Sequence, residues 1–181
     1  IVVHPTGVPN PGRTQNAWEL DPARDPNRDD VAFASSLIDT LVGSWCADPV
    51  RIYSTGMSDG GFFTSILVCE LSDRIAAASS VAGVLHPPDC RPSRVVPYIA
   101  FHGTKDPIEP FDKDLEAFDE FAADAGCGSH QRIELSAEVV ARKYTGCAMT
   151  FYRIVGGGHA WPGSPIADEL PASLGHTTDE I

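Results

Sequence analysis

Apolar residues recur at helical spacing in three parts of the chain and gather into short runs between them. The helical spacing covers residues 29–45, 62–71 and 113–125, which predicts three helices. The short apolar runs predict buried strands at residues 1–4, 50–55, 75–81, 95–101, 138–144 and 150–155. Because strands and helices alternate, the pattern predicts an α/β fold with a mostly parallel sheet covered by helices on both faces.

One long segment without either period, residues 5–28, precedes the first helix. It is rich in Pro, Asn, Asp and Gly, which predicts a long surface loop. Its only aromatic residue is Trp18, which either anchors the loop to the core or forms a wall of a substrate pocket. Asp29 and Asp30 then give the first helix an acidic N-cap. The polar tail from Ser164 onward predicts no element.

Composition indicates one globular domain, residues 1–181, with 43% hydrophobic and 21% charged residues. The formal net charge of −12 argues against nucleic acid and anionic membrane surfaces as partners. No stretch is long and apolar enough to predict a membrane span. The chain opens inside an apolar run without a methionine, so we expect that its true N-terminus is missing. No pattern sets the oligomeric state.

Five cysteines are scattered without a C-x-x-C motif, so we expect no zinc site. They are either buried free thiols or two disulfides with one odd cysteine, which would indicate an oxidising compartment. Cys127 with Cys147 is the first pair that we predict, because each follows a glycine at the edge of a predicted element. The other three are Cys46, Cys69 and Cys90.

A G-x-S-x-G motif at residues 56–60 lies between a predicted strand and a predicted helix, which is the context of a nucleophile elbow. Glycine at Gly56 and Gly60 would avoid collisions of Cβ atoms in so tight a turn. The turn would present the Ser58 hydroxyl to a base and direct the backbone N–H of Asp59 at a developing oxyanion. A plain glycine-rich turn is the alternative.

Three predicted strands end near Ser58, Asp106 and His159, and the carboxyl ends of parallel strands meet at one edge of a sheet. Their order along the chain is that of an α/β-hydrolase triad. His159 would take the proton of the serine hydroxyl, and Asp106 would orient the imidazole and offset its charge. The alternatives are a turn started by Asp106 before Pro107 and a loop histidine at position 159. His102 also ends a strand, and we interpret it as a supporting or core histidine.

The segments at residues 56–61, 101–107 and 156–163, with shorter ones at 81–83 and 144–147, resemble the polyhydroxybutyrate depolymerase and feruloyl esterase group of α/β-hydrolases. The resemblance runs over nearly the whole chain. It implies a secreted serine esterase that acts on feruloyl-type or polyhydroxyalkanoate-type esters and needs no cofactor or metal. On this pattern Ser58 is the nucleophile, Asp106 the acid and His159 the base.

Two departures from the family affect the oxyanion site. Asp59 stands where the family usually has Asn or Ala, and a carboxylate near an oxyanion would oppose it unless it points away. The earlier strand with a His-Gly loop, the family's source of a second oxyanion donor, has no counterpart here. The expected final helix is also missing, so we interpret residues 1–181 as an incomplete α/β-hydrolase domain without its N-terminal strands and C-terminal helix.

The leading hypothesis is therefore a serine carboxylic-ester hydrolase that works through an acyl-enzyme on feruloyl-type or other polymer-linked esters, such as feruloylated polysaccharide. A polyester depolymerase acting on hydroxybutyrate oligomers is the alternative within the family. A catalytically disabled fragment or binding module is the alternative of another class, and an acyltransferase would use the same triad. Trp161 stands two residues after the proposed base, and we predict that it lines the pocket, with Trp18 as a second candidate.

Overall fold

The computed structural model describes residues 1–9, 12, 14–21, 25 and 27–164. This part of the chain forms a six-stranded sheet with three helices and a separate two-stranded ribbon. In chain order the elements are β1 Val8–Pro9, β2 Asn16–Ala17, α1 Asp30–Trp45, β3 Tyr53–Met57, α2 Asp59–Glu70, β4 Ala77–Val81, β5 Tyr98–Gly103, α3 Phe111–Asp124, β6 His130–Glu134, β7 Val139–Tyr144 and β8 Met149–Ile154. The tail after Ser164 lies outside the described residues.

The large sheet is mostly parallel, as the sequence predicts. Its strand order is β3-β4-β5-β8-β7-β6, and the first four strands run parallel to one another. Strand β7 is antiparallel to both of its neighbours, β8 and β6. Five of the predicted strands correspond to β3, β4, β5, β7 and β8, with bounds that differ by a few residues. The carboxyl ends of β3, β4, β5 and β8 therefore share one edge of the sheet.

The described helices cover one face of the sheet, whereas the sequence predicts both. Helices α2 and α3 contact the same side chain, since the Tyr98 hydroxyl lies 2.8 Å from that of Ser65 and the Tyr98 ring 5.2 Å from that of Phe118. Helix α1 packs against α2. Ile99, on the opposite face, is 37% exposed. The strand order explains this, because right-handed crossovers that always step in the same direction put their helices on the same face.

The core lies between this face and the helices. Its members are apolar side chains from α1, α2 and α3 packed against the central strands. Aromatic rings fill much of it: Phe63, Tyr98, Phe118, Phe121 and Phe151. Burial of these large rings is the main apolar contribution to stability.

The sequence predicts one strand that the structure lacks, and it misses strand β6 and the short strands β1 and β2 within the predicted loop. Residues 1–7 hold no strand, and Ile1 and Val2 are 76% and 80% exposed. A strand needs a neighbour to satisfy its backbone groups, and no described residue pairs with this run. Strand β6 has no counterpart among the predictions, because all five of its residues are exposed and lack an apolar alternation. Asp29 does cap α1, accepting from Ala32 N at 2.7 Å.

The cysteines form two disulfides and leave one exposed thiol. Cys127 is bonded to Cys147, the pair predicted first, and Cys69 is bonded to Cys90. The remaining thiol is Cys46. The prediction of two disulfides with one odd cysteine is therefore confirmed. None of the described helices is both long and apolar enough to cross a membrane.

Candidate active site

Ser58 occupies a sharp turn between β3 and α2. Its backbone has φ 53° and ψ −121°, and it precedes the first residue of the helix. A non-glycine residue with positive φ costs on the order of 1–3 kcal/mol and persists only where its surroundings hold it. Here Ser58 N donates to Val81 O at 2.9 Å, and Phe62 N donates to Ser58 O at 2.9 Å. The turn has the strained strand–turn–helix geometry that the motif predicts.

Two glycines make this turn sterically possible. A Cβ atom at Gly56 would lie 2.2 Å from Gly60 O, and one at Gly83 would lie 2.2 Å from Ser58 O. A Cβ at Gly60 itself would meet nothing within 4 Å. The prediction that Gly60 avoids a collision is therefore wrong, because the close approach is made by its carbonyl. Gly83, just after β4, is the second glycine that this turn needs, and it lies outside the G-x-S-x-G motif.

The loops after β5 and β8 lie against each other and bring the predicted acid to the predicted base. Lys105 N donates to Gly157 O at 2.8 Å, and a Cβ at Gly103 would lie 2.3 Å from the same carbonyl oxygen. As a result, His159 Nδ1 lies 2.7 Å from Asp106 Oδ2.

The carboxylate of Asp106 is fully buried and well provided with donors. Its Oδ1 accepts from Ile108 N at 2.8 Å and from Glu109 N at 2.9 Å. Burial disfavours the charged form, but hydrogen bonds from His102 and His159 and from these backbone groups outweigh it and hold the pKa of Asp106 well below its usual value. Asp106 is therefore ionised at neutral pH, as an acid that orients a histidine must be.

His102 is both a core residue and a supporting residue, in line with its interpretation from sequence. Its Nε2 lies 3.2 Å from Asp106 Oδ2 and its Nδ1 lies 2.7 Å from Asp114 Oδ2. Burial opposes a charge on the ring, but hydrogen bonds with the two carboxylates outweigh it and raise the pKa of His102 to about 9. Asp114 is missed by the sequence reasoning. The available signal is its spacing of four from buried Phe118, which puts a carboxylate on the apolar stripe of α3.

The second nitrogen of the His159 ring, Nε2, is buried and makes no hydrogen bond within the part of the chain that the structure describes. The structure thus joins Asp106 to His159 but does not join His159 to Ser58. All three lie at the same edge of the sheet, because Met57, Val81 and Phe101 are in register across β3, β4 and β5. A hydrogen bond between Ser58 and His159 stays a prediction.

Asp59 is the first residue of α2, where backbone N–H groups point along the helix axis away from its body. Its carboxylate accepts from Trp18 N at 2.6 Å. The negative charge therefore faces the backbone of the N-terminal loop at Trp18. That the backbone N–H of Asp59 faces an oxyanion stays a prediction.

The indole of Trp18 stacks on Phe63 of α2 with ring centroids 4.5 Å apart and 6° between the planes. It also lies 6.3 Å from the ring of Phe33 in α1. These contacts match the alternative in which Trp18 anchors its loop. Trp161 is half-buried in a turn directly after His159, and its carbonyl accepts from Ser164 N at 3.0 Å. That either tryptophan lines a pocket stays a prediction.

A cavity of about 550 Å³ lies at the other end of the parallel strands, near Val96 and Tyr98 at the start of β5. Its lining includes Cys90 and Arg94 but not Ser58, Asp106 or His159. It therefore carries no information on the chemistry at Ser58. Among the described residues, no group of three or more His, Cys, Asp or Glu side chains is placed to hold a metal ion.

Comparison with known proteins gives relatives that carry esterase names. No family model matches the chain. Esterase NocK of Nocardia uniformis subsp. tsuyamanensis is 29% identical over 191 residues, which cover 87% of this chain and 55% of that protein. A probable feruloyl esterase C of Aspergillus flavus is 27% identical over 165 residues, covering 79% and 56%. The chain thus spans about half the length of these curated relatives.

Solved structures agree in fold. An acetyl xylan esterase from Aspergillus awamori superposes with a TM-score of 0.69 at 12% identity, covering 83% of this chain and 70% of that one. A variant of SOBER1 from Arabidopsis thaliana superposes with a TM-score of 0.65 at 18% identity, covering 88% and 76%. At such low identity these likenesses show the architecture alone.

Proposed function

We propose that this chain belongs to the α/β-hydrolase esterases and that it is a serine carboxylic-ester hydrolase that works through an acyl-enzyme. The observation that carries the proposal is the buried pair of Asp106 and His159, joined at 2.7 Å, at the sheet edge where Ser58 sits in a strained turn. An oriented histidine that reaches a serine in such a turn activates the hydroxyl as a nucleophile, and we propose that His159 reaches Ser58 in this way.

In the proposed reaction, His159 Nε2 removes the proton of Ser58 Oγ while that oxygen bonds to the ester carbonyl carbon. The same proton then passes to the departing alcohol as the ester C–O bond breaks, which leaves Ser58 acylated. Water, deprotonated by His159, releases the acid and regenerates the hydroxyl. Asp106 keeps Nδ1 as the donor and offsets the charge of the imidazolium.

The backbone N–H of Asp59 is the oxyanion donor that we assign. It lies at the N-terminus of α2, where the helix dipole adds a favourable positive potential. Its own carboxylate turns to Trp18 N, so that charge is compensated away from the reacting carbonyl. A single donor of this kind contributes on the order of a hundredfold to the rate.

The substrate that we propose is an ester attached to a plant-wall polymer, with ferulate as the acyl group. The support is that two of the relatives above bear esterase names, one of them feruloyl esterase C, which matches 79% of this chain. Acetyl groups on xylan are the second candidate, because a bifunctional acetylxylan esterase/xylanase of Neocallimastix patriciarum is 28% identical over 108 residues, which cover 60% of this chain and 15% of that protein. The hydroxybutyrate polyester predicted as an alternative has no counterpart among the names reported above.

The two disulfides also support the secreted, extracellular location that we propose, since such bonds persist in oxidising surroundings. The partner is then the ester substrate itself. An acyltransferase would use the same residues, and an added alcohol acceptor separates the two, because only a transferase forms the new ester in preference to the free acid.

The first test is a fluorophosphonate probe followed by peptide mass mapping. We expect a single adduct on Ser58, because the probe reacts with a serine that a histidine and an oxyanion donor activate. Ser58→Ala should abolish both the adduct and hydrolysis of methyl ferulate, a loss of more than a thousandfold, without a change in the melting temperature. A folded native sample without an adduct would favour a disabled fragment or binding module. Parallel assays on acetylated xylan and hydroxybutyrate oligomers then rank the substrates.

A further inference from the structure

Behind Asp106 and His159 lie a second histidine and a second carboxylate that the mechanism above does not use. Asp114 Oδ2 is 2.7 Å from His102 Nδ1, and His102 Nε2 is 3.2 Å from Asp106 Oδ2. Asp106 Oδ2 is in turn 2.7 Å from His159 Nδ1. Carboxylates and imidazoles thus alternate in one row, and none of the four side chains is more than 4% exposed.

The partners of His102 determine its protonation. Its Nδ1 faces Asp114 Oδ2, and its Nε2 faces both Asp106 Oδ2 and Glu109 O, the latter at 3.1 Å. All of these oxygens are acceptors, whereas a neutral imidazole carries only one N–H. A neutral ring would leave one nitrogen lone pair against buried oxygens, and an imidazolium satisfies both sides. The raised pKa of His102, about 9, agrees with this geometry.

Other charged groups around the ring do not replace this charge. Burial and the charge of Asp114 raise the pKa of Glu109, so its ionised form is less favoured than that of an exposed glutamate. Arg153, in register with His102 on β8, has its guanidinium 5.7 Å from the centre of the Phe111 ring. That ring also makes a T-shaped contact with His102 at 5.7 Å, so Arg153 has an aromatic partner of its own.

The row therefore carries two negative charges and one positive charge while His159 is neutral. When His159 accepts the proton of the serine hydroxyl, the row becomes neutral overall. With a neutral His102, two buried carboxylates would act on His159 without a compensating cation, which favours its protonated form before any substrate arrives. A protonated His159 cannot serve as a base.

We propose that His102 is a positioning residue whose imidazolium, held by Asp114, keeps Asp106 oriented and prevents His159 from being protonated at rest. The proposal rests on the proposed function, in which His159 is the base. His102 touches no reacting atom, so it acts through Asp106.

The test replaces His102 by glutamine, which keeps an N–H donor for Asp106 but removes the charge. Loss of a neighbouring cation favours protonation of His159, so the acidic limb of kcat/KM should move to higher pH by about one to two pH units, the order of a unit charge at an effective dielectric of about 20. NMR titration of the His159 ring should move by the same amount.

Two further variants separate charge from structure. In the double variant His102→Gln with Asp114→Asn, one charge of each sign is lost, and part of the shift should return. His130→Gln alters an exposed histidine on β6 and should leave both titrations in place. If His102→Gln fails to fold, Asp114→Asn is used alone, and the NMR titration of His102 itself should fall from about pH 9.

An unchanged His159 titration in folded His102→Gln, or a His102 ring that titrates near pH 6.5 in the native protein, would overturn the proposal. The NMR readout needs no turnover, so it is independent of the esterase assignment. An inactive protein with the expected NMR shift would contradict the proposed function alone. If His102→Gln is active and neither its pH profile nor its His159 titration is shifted, the role of His102 alone is contradicted.

Discussion

Two residues with positive φ that are not glycine lie side by side at the candidate site. They are Ser58, with φ 53°, and Ala82, with φ 46°. Ser58 N donates to Val81 O and Ala82 N donates to Phe101 O, each at 2.9 Å. The strained turn after β3 and the strained turn after β4 are thus held by the next strand in the sheet. Strain of this kind persists where neighbours over-determine the backbone, and it concentrates at functional sites.

Glycine substitutions at the turn test this constraint. Gly83→Ala would bring a Cβ to 2.2 Å from Ser58 O, so we expect a loss of about 1–3 kcal/mol in the free energy of unfolding and a large fall in kcat, because Ser58 must shift. Gly60→Ala is the matched control within α2. Its Cβ would enter open space, and we expect equal or higher stability, by up to about 1 kcal/mol. Urea unfolding measures both, and equal destabilisation of the two variants would contradict the steric explanation.

At the scale of the elements, the N-terminal loop is fastened to α2 at two points in succession. Trp18 N donates to the Asp59 carboxylate at 2.6 Å, and the Trp18 ring stacks on Phe63. The next residue of the loop is bonded to α1, since Glu19 N donates to Asp30 Oδ2 at 2.7 Å. The start of α1 and the start of α2 are therefore both held by adjacent residues of this loop. The positions of Trp18 and Glu19 therefore depend on those two helix termini.

The two tryptophans allow a paired prediction about anchoring and substrate contact. We expect Trp18→Ala to lower the free energy of unfolding by about 2 kcal/mol, below the range for a fully buried ring because Trp18 is half-buried. We expect Trp161→Ala to leave stability within about 0.5 kcal/mol and to raise KM for methyl ferulate. Urea titrations and steady-state kinetics on both variants give the answer. If Trp18→Ala instead raises KM and leaves stability unchanged, Trp18 is the substrate contact.

Periodicity identifies the elements of this chain where one face is buried. Helix α1 is predicted with its Asp29 cap, since its apolar spacing and its acidic start agree. Strand β6 escapes detection because both of its faces are exposed. The run at residues 1–4 reads as a strand from apolar content alone, yet in the structure it has no strand neighbour. Pairing partners are a property of the fold that local pattern does not encode.

The same limit applies to the site. The chain order of Ser58, Asp106 and His159 is readable because each follows a predicted strand. The contact of His102 with Asp114 joins a strand to a helix twelve residues later, and only the packing of α3 brings the two together. The bond from Asp59 to Trp18 spans 41 residues. Its direction, on which the oxyanion prediction depends, follows from the path of a loop without periodicity.

At the scale of the whole molecule, the disulfides cross-link separate segments of the chain. Cys69 in α2 is bonded to Cys90 in the segment after β4, and Cys127 after α3 is bonded to Cys147 between β7 and β8. Their sequence separations are 21 and 20 residues. Cross-links that close loops of this size restrict the unfolded chain more than the folded one.

We therefore expect that replacing Cys127 and Cys147 together by serine lowers the free energy of unfolding by about 3 kcal/mol. Cys46→Ser is the matched control, because that thiol is unbonded and exposed, and its effect should stay within about 0.5 kcal/mol. Thermal unfolding with and without dithiothreitol measures the contribution of both bonds. Melting temperatures that do not respond to the reductant or to the double substitution would contradict this expectation.

Cys46 closes α1 in the left-handed conformation, with its side chain at the surface. Since the other four cysteines are bonded to one another, it is the one thiol of the chain that a maleimide dye can reach without prior reduction. Ser58, if it accepts a fluorophosphonate dye, is a second handle of different chemistry. The native sequence would then accept an energy-transfer pair without any mutation, and distance changes between α1 and the catalytic edge could be followed on single molecules as the labelled protein unfolds.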